Sequence, residues 1–190
     1  MLIGLVGYAR SGKDTVANYL VEEQKFTRVA FADQMREALL RLNPTVHSVG
    51  LYMDLQTALK CSNNDWETLK EDCSELRGLL QRMGTEVGRE MFGNDVWVNL
   101  ALFKALQFEN TVLSDVRFHN EADAILRLGG RLWKIERPGV GPVNEHVSDS
   151  AMDSYPAEYF DLTIVNDSTK EDLFIELEKT MSMFKAHNGS

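Results

Sequence analysis

The first fifteen residues constrain the fold of this chain more than any other stretch. An apolar run, Leu2–Val6, is followed by Gly7-Tyr8-Ala9-Arg10-Ser11-Gly12-Lys13 and then by a helical pattern. A strand, a glycine-rich loop and a helix in this order, with the spacing G-x-x-x-x-G-K, are typical of a phosphate-binding loop. The glycines let backbone N–H groups point at a phosphate, and the following helix adds its positive end. We therefore predict a nucleotide-phosphate site that includes the mobile charge of Lys13.

The same segment supplies the candidate contacts to a bound nucleotide: Gly7, Arg10, Ser11, Gly12, Lys13, Asp14 and Thr15. Asp14 stands where this loop normally has a serine or threonine that coordinates Mg²⁺. A carboxylate is an equally hard oxygen ligand, so Asp14, with Thr15 beside it, is a candidate metal ligand. An acidic residue in the first turn of a helix is also favourable by itself, which leaves a structural role open. Arg10 is either a phosphate contact or a solvated loop charge.

Charge and composition exclude several classes of protein. The 190 residues carry a net charge of −9, which argues against broad nucleic-acid binding because phosphate neutralisation needs a basic surface. Cys61 and Cys73 form no zinc or redox motif, so we expect a reduced, cytoplasmic setting. No apolar stretch approaches the ~20 residues of a membrane span, and the glycine-rich loop interrupts the first apolar run too early for a signal peptide. We expect small-molecule partners, with neither nucleic acid nor membrane among them.

Five short apolar runs predict the strands of a parallel sheet that is buried on both faces. They span residues 2–6, 27–31, 111–114, 131–135 and 162–165. Helical patterns occupy residues 15–23, 34–42, 74–91, 96–106, 120–128 and 168–184. Gly129-Gly130 ends one of these helices, and Ser168-Thr169-Lys170-Glu171 opens the last as a capping box. This alternation predicts a three-layer α/β fold with five parallel strands.

Two segments interrupt the alternation. Some eighty residues separate the second strand from the third, and we interpret residues 33–108 as a mostly helical insertion near the ligand-binding edge of the sheet. The chain is then a single domain whose core is residues 1–32 and 109–185. Residues 137–160 are long for a connection and loop-rich, which predicts a lid that bears Arg137, or else a surface loop.

The third predicted strand ends in residues that fit a phosphate site. Asp115 follows the apolar run where α/β sheets place a carboxylate near a metal and phosphates, and Arg117 lies on the same side of an extended chain. The pair either serves the site or forms a structural salt bridge. Glu121 lies one turn further, whereas His119 has no neighbouring ligand residue and fits a capping or surface role.

The insertion carries a polar row at four-residue spacing: Arg77, Gln81, Thr85 and Arg89. Beside it runs an apolar stripe: Leu76, Leu80, Met83, Val87 and Met91. The row either clamps a second phosphate and a base or is a solvated helix face, and spacing alone favours the solvated face. Trp97 either stacks on a base or belongs to the core. Asp33 and Arg36, just after the second strand, are predicted to face the same region as the polar row and Trp97.

Five blocks of sequence occur in order along the chain. They are Arg10-Ser11-Gly12-Lys13-Asp14-Thr15, Leu80-Gln81-Arg82-Met83-Gly84-Thr85-Glu86, Asp95-Val96-Trp97-Val98, Ser114-Asp115-Val116-Arg117-Phe118-His119-Asn120-Glu121 and Ile135-Glu136-Arg137-Pro138-Gly139. Together they resemble the bacteriophage deoxynucleoside monophosphate kinase family over roughly the whole chain except residues 43–73. The Arg-Ser-Gly-Lys-Asp start is also seen in phosphomevalonate kinases, so Asp14 is compatible with a kinase.

The resemblance implies a P-loop kinase fold similar to adenylate and guanylate kinases. It also implies ATP-dependent phosphorylation of a deoxynucleoside monophosphate with Mg²⁺. The loop would then hold the ATP phosphates. The residues expected to bind the acceptor are Asp33, Arg36, Arg77, Gln81, Thr85, Trp97, Asp115, Arg117 and Glu121. The expected catalytic residues are Lys13, Asp14, Arg117 and Arg137, and the expected metal ligands are Asp14, Thr15 and Asp115.

Two other functions remain open on the sequence. A kinase of another small metabolite, such as phosphomevalonate or dephospho-coenzyme A, would share the fold, and a non-catalytic ATP-binding switch module would share the loop. The cluster of Asp115, Arg117 and Glu121 favours a kinase, because a switch needs no acceptor site. The resemblance places the protein in the cytoplasm, of a host cell if the chain is phage-encoded, and leaves a homodimer open.

Overall fold

The computed structural model describes residues 1–141 and 151–188 of the chain. These residues form two units. The core unit contains Met1–Ala30 and the described residues from Leu102 onward, and the insertion unit contains Phe31–Ala101. The insertion expected at residues 33–108 overlaps the second unit, and its role in acceptor binding stays a prediction.

The described residues contain seven strands and eight α-helices. The strands are β1 (Leu2–Val6), β2 (Thr27–Val29), β3 (Thr45–Ser48), β4 (Leu51–Asp54), β5 (Thr111–Val116), β6 (Arg131–Glu136) and β7 (Leu162–Val165). The α-helices are α1 (Lys13–Glu22), α2 (Phe31–Leu42), α3 (Leu55–Cys61), α4 (Trp66–Asp72), α5 (Ser74–Arg82), α6 (Val96–Ala105), α7 (His119–Arg127) and α8 (Lys170–Asn188). A π-helix follows α5 at Met83–Met91, and 3₁₀ turns lie at Ala151–Ser154 and Ala157–Tyr159.

Five of the strands form one sheet in the order β2-β5-β1-β6-β7, and all of its neighbours are parallel. The central strand β1 pairs with β5 and β6, so the loop that follows β1 leaves the middle of the sheet at its carboxyl edge. This is the edge at which open α/β sheets bind ligands. The α/β fold and the five parallel strands predicted from the apolar runs are confirmed.

Helices cover both faces of this sheet. Ile3 and Leu5 of β1 are fully buried in a core with apolar residues of α1 and α8, such as Leu20 and Leu177. Gly4 points to the opposite face, where a Cβ would lie 2.6 Å from Ile125 of α7. Because side chains alternate along a strand, an apolar run such as β1 serves both layers, which explains its unbroken apolar character.

The insertion unit has its own core and a hairpin that the sequence did not reveal. One cluster of buried residues in this unit consists of Leu39, Val46, Leu55, Ala58, Leu59, Leu69, Cys73, Leu76 and Leu80. Strands β3 and β4 pair antiparallel through a turn at Val49-Gly50, where both residues have positive φ. Valine is unusual in that conformation, so the turn lacks the Asn-Gly or Asp-Gly signal that identifies a two-residue hairpin. The expectation of a mostly helical insertion therefore missed this hairpin.

Several element boundaries differ from the sequence prediction by one to four residues, and two of them have an instructive cause. The second strand ends at Val29. Phe31, predicted as its last residue, is instead the first residue of α2, and its side chain is buried. The last helix begins at Lys170, with Thr169 rather than Ser168 in the capping position. Thr169 and Asp172 exchange the reciprocal hydrogen bonds of a capping box, so the predicted motif is shifted by one residue.

The prediction of one α-helix over residues 74–91 is wrong from Met83 onward. The segment Met83–Met91 is a π-helix, which closes its hydrogen bonds from i to i+5 and so has more residues per turn. The inward positions consequently continue from Leu80 to Gly84 and Gly88, whereas Met91 of the predicted stripe is 70% exposed. Met83 packs against the insertion core as the spacing predicts, but beyond it the α-helical spacing placed the inward position at Val87 instead of Gly88.

Part of the predicted lid, residues 142–150, lies outside the described residues. The described remainder includes the turn after β6, in which Val140 donates to the Arg137 carbonyl, and the two 3₁₀ turns. None of the helices in the described part of the chain is both long enough and apolar enough to cross a membrane.

Candidate phosphate-binding site

The loop between β1 and α1 adopts the backbone conformation that an anion cradle needs. Gly7, Arg10 and Gly12 all have positive φ, at 152°, 66° and 107°. Gly12 immediately precedes α1 and has no side-chain cap, so backbone N–H groups at the start of the helix point toward the loop. A cradle of N–H groups at a helix N-terminus favours phosphate.

Both glycines of the motif are closely packed, Gly7 against a backbone oxygen and Gly12 against a side chain. A Cβ at Gly7 would lie 2.3 Å from the carbonyl oxygen of Ile135, at the end of β6. A Cβ at Gly12 would lie 2.4 Å from the side-chain nitrogen of Asn166, just beyond β7. The loop is thus held closely against the carboxyl ends of two neighbouring strands.

Asn166 is a residue of the site that the sequence prediction did not include. Its Nδ2 donates to the Ser11 carbonyl at 2.9 Å, and its backbone N–H donates to the Glu136 carbonyl at 2.7 Å. It therefore connects the phosphate loop with the ends of β6 and β7. The only sequence signal is an asparagine directly after an apolar run, which is too common to single out.

The polar groups of Lys13 and Ser11 lie within this loop. Lys13 Nζ donates to the carbonyls of Gly7 and Tyr8, each at 2.6 Å, so the cation lies over the loop. Ser11 is 1% exposed, and its Oγ has no hydrogen-bond partner among the described residues. A buried hydroxyl without a partner is costly, and an anionic oxygen in the cradle would satisfy it. Asp14 is exposed in the first turn of α1, beside half-buried Thr15.

The end of β5 brings the predicted residues Asp115, Arg117 and Glu121 together. Glu121 is 3% exposed, and its Oε2 accepts from the backbone N–H groups of Arg117 and Phe118. The carboxylate thereby caps the start of α7 and fixes the turn that carries Arg117. Asp115 is half-buried and Arg117 is exposed. A direct contact of Glu121 with the acceptor stays a prediction.

A cavity of about 330 Å³ lies beside the loop within the core unit. Its charged lining residues are Arg117, Lys134, Glu136, Arg137 and Asp153. Lys134 forms an ion pair with Glu136 at 2.7 Å. The arginines are the two predicted to act on phosphate, and Lys134 adds a third cation that was not predicted. Cations lining a cavity beside an anion cradle are suited to a phosphorylated ligand.

Tyr8 links the loop to the segment that follows residues 142–150. Its hydroxyl donates to Asp153 at 2.5 Å. This hydrogen bond, with smaller contributions from burial and from the charges of Asp153 and Glu136, raises the pKa of Tyr8 to about 12. The protonated phenol therefore favours the folded state below pH 10.0, and this contribution is lost as the pH rises through about 12.

The segment containing Asp153 is held on α7 by aromatic residues. His119 Nε2 lies 2.7 Å from the Ala151 carbonyl, and the His119 ring packs edge-on against Tyr155 at 5.1 Å. Tyr155 donates its hydroxyl to Asp123 at 2.7 Å. Burial, together with this hydrogen bond, raises the pKa of Tyr155, so the phenol remains a donor at neutral pH. His119 thus positions a segment bordering the cavity, beyond the capping or surface role expected of it.

The other candidate residues lie in the insertion unit. Arg36 of α2 stacks over the Trp66 ring at 5.5 Å and lies 3.9 Å from Asp33 and 3.8 Å from Glu67. Arg77, Gln81 and Thr85 are exposed, and Arg89 is half-buried. Each member of this row follows one of the inward positions: Leu76, Leu80, Gly84 and Gly88. Trp97 is 9% exposed and donates to the Gly84 carbonyl. Acceptor binding by these residues stays a prediction.

The described residues contain no group of three or more His, Cys, Asp or Glu side chains that could hold a metal ion. Mg²⁺ does not require one, because it keeps several waters and binds proteins through one or two carboxylates plus substrate phosphates. The hard oxygen donors of Asp14, Thr15 and Asp115 fit that chemistry. Their role as ligands stays a prediction.

Sequence similarity connects this site with known proteins. A family model for deoxynucleotide monophosphate kinase matches residues 53–177. A protein of Acanthamoeba polyphaga mimivirus described as a deoxynucleotide monophosphate kinase is 32% identical, over 93% of this chain and 94% of the relative. A deoxynucleotide monophosphate kinase of Escherichia phage RB69 is 24% identical, over 95% of this chain and 99% of the relative. Among solved structures, a dephospho-CoA kinase from Campylobacter jejuni matches 96% of both chains, with 13% identity and a TM-score of 0.48.

Proposed function

Because the chain belongs to the deoxynucleotide monophosphate kinase family, we propose that it transfers the γ-phosphoryl group of ATP to a deoxynucleoside monophosphate. The products are ADP and a deoxynucleoside diphosphate. The observation that carries the proposal is the phosphate loop itself, which the family match at residues 53–177 does not include. Its positive-φ glycines, buried Ser11 hydroxyl and Lys13 amine form an anion cradle beside a cavity whose lining includes three cationic and two anionic side chains.

The residues of the core unit suit phosphoryl transfer by positioning and charge neutralisation. The loop N–H groups and Lys13 would hold the ATP phosphates. An oxygen of the acceptor phosphate would attack the γ-phosphorus, while the bond between the γ-phosphorus and the β-γ bridging oxygen breaks and ADP leaves. The acceptor phosphate is already ionised at neutral pH, so the transfer needs no strong general base. Arg117 and Arg137, which line the cavity, would neutralise charge on the transferred group.

We propose that Mg²⁺ accompanies ATP, with Asp14, Thr15 and Asp115 as its protein-side oxygen donors. When bound, the ion would supply additional neutralisation of the phosphate charges. Asp14 is exposed at the start of α1, where a carboxylate is compatible with both a metal ligand and a helix-start residue.

An acceptor panel tests the proposed reaction. ADP release is measured with ATP and each of the four common deoxynucleoside monophosphates, their ribonucleotide counterparts, phosphomevalonate and dephospho-coenzyme A. We expect turnover with at least one deoxynucleoside monophosphate. Turnover only with a non-nucleotide acceptor would identify another kinase of this fold, and tight ATP binding without transfer would identify a switch module.

Asp14→Ala should raise the Mg²⁺ concentration needed for half-maximal transfer by about tenfold, the low end of the effect seen when groups that support a metal are removed. The measurement is a Mg²⁺ titration of the transfer rate at fixed ATP. Glu22→Ala, at the other end of α1, removes an exposed carboxylate from the same helix and should leave the titration unchanged. An unaltered curve for Asp14→Ala would return Asp14 to the role of a helix-start residue.

Asn166→Ala should raise the KM for ATP about three- to tenfold, because a lost hydrogen bond of this kind contributes roughly 0.5–1.5 kcal/mol. The variant removes the donor to the Ser11 carbonyl and the amide that packs on Gly12. KM for ATP and KM for the acceptor are measured separately. Asn18→Ala changes an exposed asparagine of α1 and serves as the control. Equal ATP affinities in Asn166→Ala and wild type would show that Asn166 does not support the loop.

A further inference from the structure

The π-helix Met83–Met91 is a feature of the insertion unit that the phosphate loop does not explain. A π-helical turn is rare, and it occurs frequently at functional sites. Here it spans nine residues and carries two members of the polar row, Thr85 and Arg89. The conformation therefore decides where these two residues lie.

Two glycines make the wide helix fit against its neighbours. Gly84 lies against α2, where a Cβ would come 2.8 Å from Met35 Sδ. Gly88 is buried against α6, where a Cβ would lie 2.3–2.6 Å from Nε1, Cε2 and Cζ2 of Trp97. The indole thus occupies the space that any side chain at position 88 would need.

Trp97 also forms a directed bond to the same helix. Its Nε1–H donates to the Gly84 carbonyl at 2.9 Å, across thirteen residues of sequence. With this hydrogen bond and the packing on Gly88, Trp97 contacts the inward positions of two successive turns. Because the residue is 9% exposed, little of the ring is left to stack on a nucleobase.

We propose that Trp97 is a positioning residue for acceptor binding, which holds Met83–Met91 in its π-helical form and thereby places Thr85 and Arg89. The proposal rests on the proposed function, since Thr85 and Arg89 bind an acceptor only if the chain phosphorylates a nucleotide. It assigns Trp97 a role through the helix in place of direct stacking on the base.

The apolar spacing of this segment favours an α-helix, which is the conformation that the contacts of Trp97 disfavour. An α-helix through this segment would turn Val87 and Met91 inward together with Met83, which already packs against the insertion core. The π-helix turns Gly84 and Gly88 inward, leaving Val87 36% exposed, and thus rotates the polar row together with them. Loss of the indole removes the contacts that favour the wider form and shifts Thr85 and Arg89 relative to α2 and α6.

The test compares Trp97→Phe and Trp97→Leu with the wild type in the transfer assay. Phenylalanine keeps an aromatic face but has no donor for the Gly84 carbonyl, and leucine has neither. We expect both variants to raise the acceptor KM up to about tenfold while the ATP KM stays within about twofold, because losing a part-buried hydrogen bond of this kind costs up to about a tenfold change in an equilibrium constant. Trp133→Phe is the control, since its buried indole nitrogen has no partner among the described residues.

A second pair of variants tests the packing. Gly88→Ala should raise the acceptor KM at least as much as Trp97→Phe, and the double variant Gly88→Ala/Trp97→Leu should be less impaired than the product of the single effects, because leucine vacates the space that the new Cβ needs. Gly78→Ala, with no heavy atom within 4 Å of the added Cβ, controls for a glycine-to-alanine change in the preceding helix α5.

The outcomes separate the possible roles of Trp97. If Trp97→Phe keeps the wild-type acceptor KM while Trp97→Leu loses affinity, the ring stacks on the base and the proposal is wrong. If both variants lower only the melting temperature, Trp97 is a core residue alone and the proposal is also wrong. A wild-type protein that transfers phosphate to no deoxynucleoside monophosphate would instead overturn the proposed function, and with it the positioning role.

Discussion

Lys13→Ala should lower the rate of phosphoryl transfer by about 10³-fold or more, as expected when a charged group that stabilises the transition state is removed. Lys13 Nζ lies over the loop on the Gly7 and Tyr8 carbonyls, from which it can move to the β- and γ-phosphates of ATP. ADP release at saturating ATP and acceptor gives the rate. The melting temperature should change little, because Lys13, Gly7 and Tyr8 are only half-buried and water can replace the lost hydrogen bonds.

The matched control for this variant is Lys179→Ala. It removes a positive charge from an exposed position on α8, in the same unit, and should retain full activity. Lys13→Arg adds a second comparison, since arginine keeps the charge but presents a planar group in place of a compact ammonium. If Lys13→Ala retained more than about a tenth of the wild-type rate, the assignment of the loop as the phosphate site would be wrong.

Gly7→Ala should destabilise the fold by about 3 kcal/mol and abolish phosphate binding, since it combines backbone strain with a severe overlap. The new Cβ would lie 2.3 Å from the Ile135 carbonyl oxygen, which belongs to the backbone of β6 and cannot move aside by a change of rotamer. For a chain of this size, roughly 2–4 °C in melting temperature per kcal/mol gives a fall of about 6–12 °C. Thermal unfolding with and without ATP measures both effects.

A second glycine with positive φ, at a different angle from the +152° of Gly7, is the control for an alanine that meets no overlap. Gly129 has a φ of +72° and no heavy atom within 4 Å of an added Cβ, so Gly129→Ala introduces the left-handed conformation without the contact. We expect this control to cost about 1 kcal/mol. Similar melting temperatures for the two variants would show that the approach of the loop to β6 is not required for stability.

The parts of the fold that the sequence predicted well are those with local signals. The five strands of the parallel sheet were recognisable as short runs rich in apolar residues, and the helix end at Gly129-Gly130 has the glycine that a left-handed cap requires. The β3–β4 hairpin was missed because its turn uses Val49-Gly50, and the end of β2 was misplaced because Phe31 is apolar in either element. Local pattern cannot distinguish a buried residue on a strand from one on a helix that follows it.

The residues of the candidate site also divide into those with a local sequence signal and those without one. Gly7, Gly12 and Lys13 follow from the motif, since the loop needs those residue types at that spacing. Asn166 follows from no motif, because its contact with Ser11 joins residues 155 positions apart. The link between Tyr8 and Asp153, 145 positions apart, was equally invisible in the sequence. Such pairs have no periodic or compositional signature, and they exist only when the sheet brings the strand ends together.

The first fifteen residues by themselves determined that this chain has a phosphate-binding loop at the end of a buried strand, because glycine conformation, strand hydrophobicity and helix initiation are local properties. Only the tertiary structure shows which residues support that loop and which helical form the polar row of the insertion adopts. Asn166 and Ile135 pack on the two glycines of the loop, and Trp97 packs on the π-helix where residue spacing had favoured an α-helix. These outcomes depend on which surfaces meet across the fold, and packing between distant segments overrides local periodicity.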